Sequence, residues 1–221
     1  MELINIRHPA ETVSFREAVL RGLGTDQGLF FPREFAPLPD VGNLLREGFV
    51  PRSVAVLQHL IGDEVDAVTL GAMVSSAFDF PLTVPLLDER VRALELFHGP
   101  SLAFKDFGAR FMARCLAEFR TGGPMTILTA TSGDTGAAVA HAYYGQPGID
   151  VVILYPQGKI SPLQEKLFCT LGGNVRTIAV DADFDTCQKL VKDAFEDTEL
   201  KEGLGLNSAN SINMARLLAQ V

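Results

Sequence analysis

The sequence predicts an α/β protein, a parallel sheet flanked by helices, preceded by a smaller and mainly helical N-terminal region. Three observations carry that prediction. From Met125 onward, short apolar runs alternate with segments of helical spacing, the pattern of a parallel sheet covered on both faces. The residues before Pro81 instead carry helix caps and helical periodicity. Pro81 and Pro85 stand between the two patterns, so the division expected is 1–82 and 83–221.

In the first region, Val13 to Leu23 reads as a helix. Ser14 and Glu17 have capping-box spacing, Phe15, Ala18, Val19 and Leu23 recur at helical steps, and Gly22 and Gly24 offer a stop. Thr25 to Gly28 is a turn before Leu29-Phe30-Phe31-Pro32. A second helix is expected over Pro51–Ile61, with proline in its first turn and Gly62 past its end. A third covers about Glu64 to Phe78 and stops before Pro81.

In the second region, Val91 to Phe97 alternates as a strand, and Phe107, Phe111, Cys115 and Phe119 form one apolar helix face. Strands follow at Met125–Ala130, Asp150–Tyr155 and Asn174–Val180. Between and after them come helices at Thr135–Tyr144, Ser161–Leu171 and Asp183–Phe195. The pattern from Asn210 to Val221 reads as a helix just begun, with no stop signal. The expectation is a chain that forms part of a larger protein.

With 221 residues, 47% of them hydrophobic, the chain can bury a sizeable core. A formal charge of −8 leaves no basic footprint for nucleic acid, so an anionic ligand must meet a local cluster. No apolar run reaches the roughly 18 residues of a membrane span. Cys115, Cys169 and Cys187 lack metal or redox spacing; buried thiols in a reducing compartment, the cytoplasm, are the expectation.

Two loops carry the chemistry. The first is Leu96-Phe-His-Gly-Pro-Ser-Leu-Ala-Phe-Lys-Asp-Phe-Gly108, with Lys105 after a Gly-Pro turn at the start of a helix. A lysine against apolar neighbours loses hydration, which favours the neutral amine that attacks a carbonyl. Taken alone, Lys105 also reads as a solvated cation at a helix end. The second loop is Thr129-Ala-Thr-Ser-Gly-Asp-Thr-Gly-Ala-Ala138, between a strand and a helix. Its hydroxyls and N–H groups converge where an anion is stabilised, though Ser132, Asp134 or Thr135 would serve equally as a plain cap. Asp134 suits the helix dipole but would repel an anion placed too close.

Together the two loops resemble the pyridoxal-phosphate enzymes of the tryptophan synthase β-subunit type, and within them the threonine synthase family. Lys159-Ile-Ser-Pro-Leu-Gln-Glu-Lys166 and Gly24-Thr-Asp-Gln-Gly-Leu-Phe-Phe-Pro32 extend the resemblance along the whole chain, matching the N-terminal half of that family. It implies a tryptophan synthase β-like fold and conversion of O-phospho-L-homoserine and water to L-threonine and phosphate. Pyridoxal phosphate would be held as a Schiff base on Lys105, the catalytic residue.

The same resemblance implies cofactor contacts from Phe104, Ser132, Gly133, Asp134 and Thr135. Substrate contacts would come from Thr131, Ser132, Thr135, Lys159, Asn210, Ser211 and Arg216. Relatives often carry asparagine where this chain has Asp134. No metal, nucleic-acid or membrane partner is expected. In the family the loop for the cofactor phosphate lies beyond residue 221. These residues alone are therefore expected to bind cofactor weakly and turn over poorly. Two other readings stay open: a different pyridoxal-phosphate replacement or deaminase activity, and a non-catalytic fragment that binds an anion or a partner. His98 and His141 read as a turn histidine and a satisfied helix histidine.

Overall fold

The computed structural model describes residues 1–220. The N-terminal region pairs β1 (Leu3–Asn5) antiparallel with β2 (Thr12–Val13) and later with β3 (Phe30–Pro32), a three-stranded sheet of order β2-β1-β3. Helix α1 (Phe15–Arg21) lies between β2 and β3. Ser14 caps it by accepting from the Glu17 amide at 3.1 Å, and the Glu17 carboxylate turns away to Arg21. A short α2 (Val41–Leu44) leads to α3 (Phe49–Ile61) and α4 (Ala67–Ala77). Asp66 caps α4 through two amides. The region is mainly helical as expected, but its small sheet is an addition. Runs of two or three residues are too short to show alternation.

A two-stranded antiparallel ribbon of β4 (Leu86–Asp88) and β5 (Val91–Arg92) comes next. The expectation of a strand over Val91–Phe97 is corrected here. Only Val91–Arg92 is strand, and the extension to Glu95 pairs back on Thr83 rather than joining the main sheet. Val91, Leu94 and Phe97 all face solvent, so this alternation does not mark a buried face.

Helix α5 (Lys105–Phe119) then leads into β6 (Met125–Ala130), α6 (Asp134–Tyr143), β7 (Ile149–Pro156), α7 (Pro162–Cys169), β8 (Val175–Val180) and α8 (Phe184–Glu196). After these come α9 (Thr198–Gly203), β9 (Leu206–Asn207) and α10 (Met214–Leu218). The strands form a parallel four-stranded sheet of order β8-β7-β6-β9, with Met125 opposite Ile149 and Thr126 opposite Leu206. Ile127, Val151 and Ile153 pack into the main core with α5 and α6. Leu128 and Leu154, on the other face, meet Cys187 of α8. Both faces of β6 and β7 are covered, as the apolar runs imply, while the edge strand β8 leaves Ile178 exposed.

The short α9 and β9 lie outside the elements expected from sequence. The last helix is Met214–Leu218, capped by Asn213, so Asn210 to Ile212 form a loop ahead of it. The end of the expected helix, Val221, lies outside the described residues.

The two regions share one core. Phe15 of α1 meets Phe119 of α5 edge-on at 5.8 Å. Arg110 of α5 donates to the carbonyls of Ala77 and Ser76 at the end of α4. Asn207 and Asn213 donate to Leu20 and Val19, tying the far end of the chain to α1. Phe107, Phe111, Cys115 and Phe119 are all buried, as the helical spacing requires. Among the described residues, no helix is long and apolar enough to cross a membrane.

Candidate active site

Lys105 is the first residue of α5, and the turn before it is held from beneath. Asp106 is fully buried, and its Oδ2 accepts from the Ser101 amide at 2.9 Å. A methyl group on Gly99 would collide with that carboxylate, so the turn needs glycine there. Leu102 takes a left-handed backbone, with φ 59°, as the chain swings into the helix. Burial raises the Asp106 carboxyl above its ordinary value, partly offset by the Ser101 hydrogen bonds. Buried Asp106 and outward Lys105 thus divide two tasks between adjacent residues. One fastens the turn and the other reaches over its edge.

The Lys105 amine stands 5.0 Å from the ring of Phe104, which is itself half exposed. On its other side, Nζ lies 3.6 Å from Oδ2 of Asp134. Asp134 opens α6 at the carboxyl end of β6, so the two loops face each other at the sheet edge where α/β folds place ligands. Both side chains are partly exposed, at 24% and 49%, so the pair is worth at most about 1 kcal/mol.

The 131–136 turn owes its shape to one hydroxyl. Thr131 Oγ1 accepts from the amides of Gly133, at 3.0 Å, and Gly136, at 2.8 Å, and donates to the Gly133 carbonyl at 3.1 Å. Gly133 is the cap position of α6 and has no side chain to offer; Thr131 supplies the capping oxygen from outside the helix. Gly133 has φ 149°, a conformation that favours glycine. Ser132 is exposed and Thr135 half-buried, so both hydroxyls stand at the rim.

Two implied substrate positions, Thr131 and Arg216, are buried. Thr131 is buried and its hydroxyl is engaged by the loop's own backbone, so its side chain shapes the turn. Arg216 is 2% exposed, with Nη1 donating to the Ala209 carbonyl and its stem packed on Gly108. It is not a surface residue, and burial lowers its pKa. Arginines are mostly exposed, and the docking of α10 against α5 and α1 encloses this one. Lys159 is exposed past the carboxyl end of β7, and its charge acts on Asp183 at the cap of α8. Asn210 and Ser211, also exposed, follow the carboxyl end of the parallel strand β9, on the same sheet edge.

His98 bonds Glu95 at 2.7 Å and Thr83 at 3.1 Å. The Thr83 hydroxyl, then His98, hold the Glu95 carboxyl below its usual range. His141 is half-buried with Nε2 unpartnered, and burial lowers its pKa. The residue that sequence reasoning missed is Gln164. Its Nε2 donates to Asp134 Oδ1 at 2.8 Å, and its Oε1 accepts from the Ser161 hydroxyl at 3.0 Å. The signal was present: Ser161-Pro-Leu-Gln164 is a capping-box spacing, with the glutamine side chain turned outward to a second helix.

An outward lysine at a helix start, facing a strand–turn–helix loop across the carboxyl edge of a parallel sheet, defines a candidate ligand site of the α/β class. The comparisons specify which. The chain belongs to the family described as pyridoxal-phosphate dependent enzyme, whose model matches residues 83–219. The model described as threonine synthase N terminus matches residues 3–78. The chain is 63% identical to the threonine synthase of Haemophilus influenzae, over 100% of its own length and 52% of that protein. Among solved structures, it superposes on threonine synthase from Escherichia coli with TM-score 0.90 at 59% identity, covering 100% of this chain and 52% of that one. It superposes on PLP-bound threonine synthase from Brucella melitensis with TM-score 0.93 at 36% identity, covering 100% and 50%. The chain therefore spans about half the length of the relatives it matches.

Proposed function

We propose that this chain carries the lysine-bearing half of an active site that converts O-phospho-L-homoserine and water to L-threonine and phosphate, with pyridoxal phosphate attached at Lys105. The observation that carries the reading is the meeting of the Lys105 amine with the Asp134 turn, 3.6 Å apart at the carboxyl edge of the sheet. The residues fit the cofactor: a partly exposed amine, an aromatic ring beside it, and a helix N-terminus across from it. When bound, pyridoxal phosphate supplies the electron sink for charge that builds at the substrate's Cα.

The chain's own groups do the rest. Lys105 takes the proton from Cα and, from the same position, moves protons at Cβ and Cγ as phosphate leaves and water adds. Ser132 and Thr135 hydroxyls, with the amides opening α6, hold the substrate carboxylate. Asp134 would share a proton with the cofactor's ring oxygen, and Gly133, with no side chain, leaves room for the Gln164 amide that lies over it. Lys159, Asn210 and Ser211, on the same edge, receive the substrate phosphate. The cradle for the cofactor phosphate is assigned to the half of the relatives that this chain does not span.

Reduction with borohydride after adding pyridoxal phosphate, followed by mass mapping, tests the reading. The expected adduct is on Lys105 and is lost in Lys105→Ala. With the remaining half supplied, phosphate should be released from O-phospho-L-homoserine, while O-acetylserine and threonine give no turnover. An adduct elsewhere, or threonine formation retained in Lys105→Ala, overturns it.

A further inference from the structure

From the contacts of α7, we infer that Gln164 is a positioning residue that holds the Asp134 carboxylate against Lys105, parking the amine as a paired cation until a carbonyl compound displaces it. The inference rests on the reading of Lys105 as the cofactor lysine and adds to it a residue with no implied role so far. Gln164 has both ends of its amide engaged. Ser161 fixes Oε1, which leaves Nε2 aimed at Asp134 Oδ1 at 2.8 Å. The backbone amide of Gln164 also donates to Ser161 Oγ at 3.2 Å, so the α7 cap and the side chain are one unit.

The other carboxylate oxygen, Oδ2, is then the one that faces Lys105. The Gln164 side chain also lies over Gly133, where any Cβ would collide with it. Position 133 and the orientation of Asp134 are therefore set by the same amide. Asp134 sits in the first turn of α6, where the helix dipole stabilises a carboxylate. Without Gln164 the carboxylate is free to rotate towards solvent, and its pairing with the lysine weakens. The amine must leave its carboxylate partner before it can bond a carbonyl carbon. A carboxylate held 3.6 Å from the amine also stands in the way of an incoming carbonyl, so the hold on Asp134 sets how readily the amine is reached.

The test is reductive methylation of the 221-residue chain with formaldehyde and cyanoborohydride at pH 7.5, with the rate at Lys105 normalised to Lys201 by mass mapping. Formaldehyde is neutral and small, and it needs no cofactor site. Asp134→Asn should raise the Lys105 rate about threefold and Gln164→Ala about twofold, the scale of a partly exposed ion pair. The double variant should match Asp134→Asn alone, because Gln164 acts only through the carboxylate. Gln164→Met keeps the stem over Gly133 and removes only the donor, so it should match Gln164→Ala. An unchanged rate in Gln164→Met overturns the proposal. So does a twofold rise from Gln164→Ala that persists in the Asp134→Asn background, since that marks a general loosening. Failure of pyridoxal phosphate to label Lys105 would sink the functional reading instead and leave these rates intact.

Discussion

Replacing Thr131 by valine tests the internal fastening of the ligand loop. The change conserves volume and β-branching and deletes one hydroxyl. That hydroxyl receives the Gly133 and Gly136 amides and gives its proton to the Gly133 carbonyl, inside a residue only 1% exposed. Valine leaves two buried amides without an acceptor, each costing about 1–3 kcal/mol. One of them, Gly136 N–H, belongs to the first turn of α6 and has no partner within the helix. Allowing for some relaxation of the loop, the loss should be about 3 kcal/mol. For a chain of this size that is a fall in Tm of roughly 6–12 °C. Urea and thermal unfolding read the change directly. Thr131→Ser retains the oxygen and should lose about 1 kcal/mol, from the missing methyl that packs on Gly136. A valine variant within about 0.5 kcal/mol of the parent would show that the hydroxyl is not what holds the turn.

Other outcomes follow from the same contacts. Gly136→Ala would drive its methyl into Thr131 Cγ2, so it should destabilise despite the better helix propensity of alanine; a raised Tm would refute the close approach. The Glu11 carboxyl, held down to about 2 chiefly by the Asn5 side chain and then by the Thr25 amide, contributes stability in full above its ordinary value of 4.5. That contribution is lost as pH falls towards 2, so Glu11→Gln should flatten the acid limb of the stability–pH curve over that window. Asp106 has the opposite sign. Burial raises its pKa above 3.8, so the folded chain keeps the proton longer than the unfolded one and stability falls as pH rises through the raised value. Asp106→Asn should remove that slope in pH-dependent unfolding while keeping an acceptor for the Ser101 amide.

Much of the architecture was legible in short stretches of chain. Helix starts were written in single residues, as at Ser14, Ser161 and Asp183. The parallel sheet was written in apolar runs flanked by helices, because a strand buried on both sides has no polar face to show. The same logic misled at Val91–Phe97. Alternation there marks an extended segment that leaves Val91, Leu94 and Phe97 in solvent, and local pattern does not register what covers a face. The weak, two-residue strand β9 and the short α9 have no periodicity to detect.

The site divides along the same line. The two loops and their chemistry are local: an amine at a helix start, and small polar residues before a helix N-terminus. Which hydroxyl faces a ligand and which is consumed holding the loop depends on backbone geometry several residues away, as Thr131 shows. Whether an arginine is at the surface depends on what docks over it, and α10 closing on Gly108 of α5 encloses Arg216. Gln164 reaches Asp134 across 30 residues of sequence. Spacing along the chain specifies hydrogen bonds within a turn or two, where the backbone fixes the distance. Contacts between elements exist only once the sheet has set β6 and β7 side by side and carried the starts of α6 and α7 to one edge.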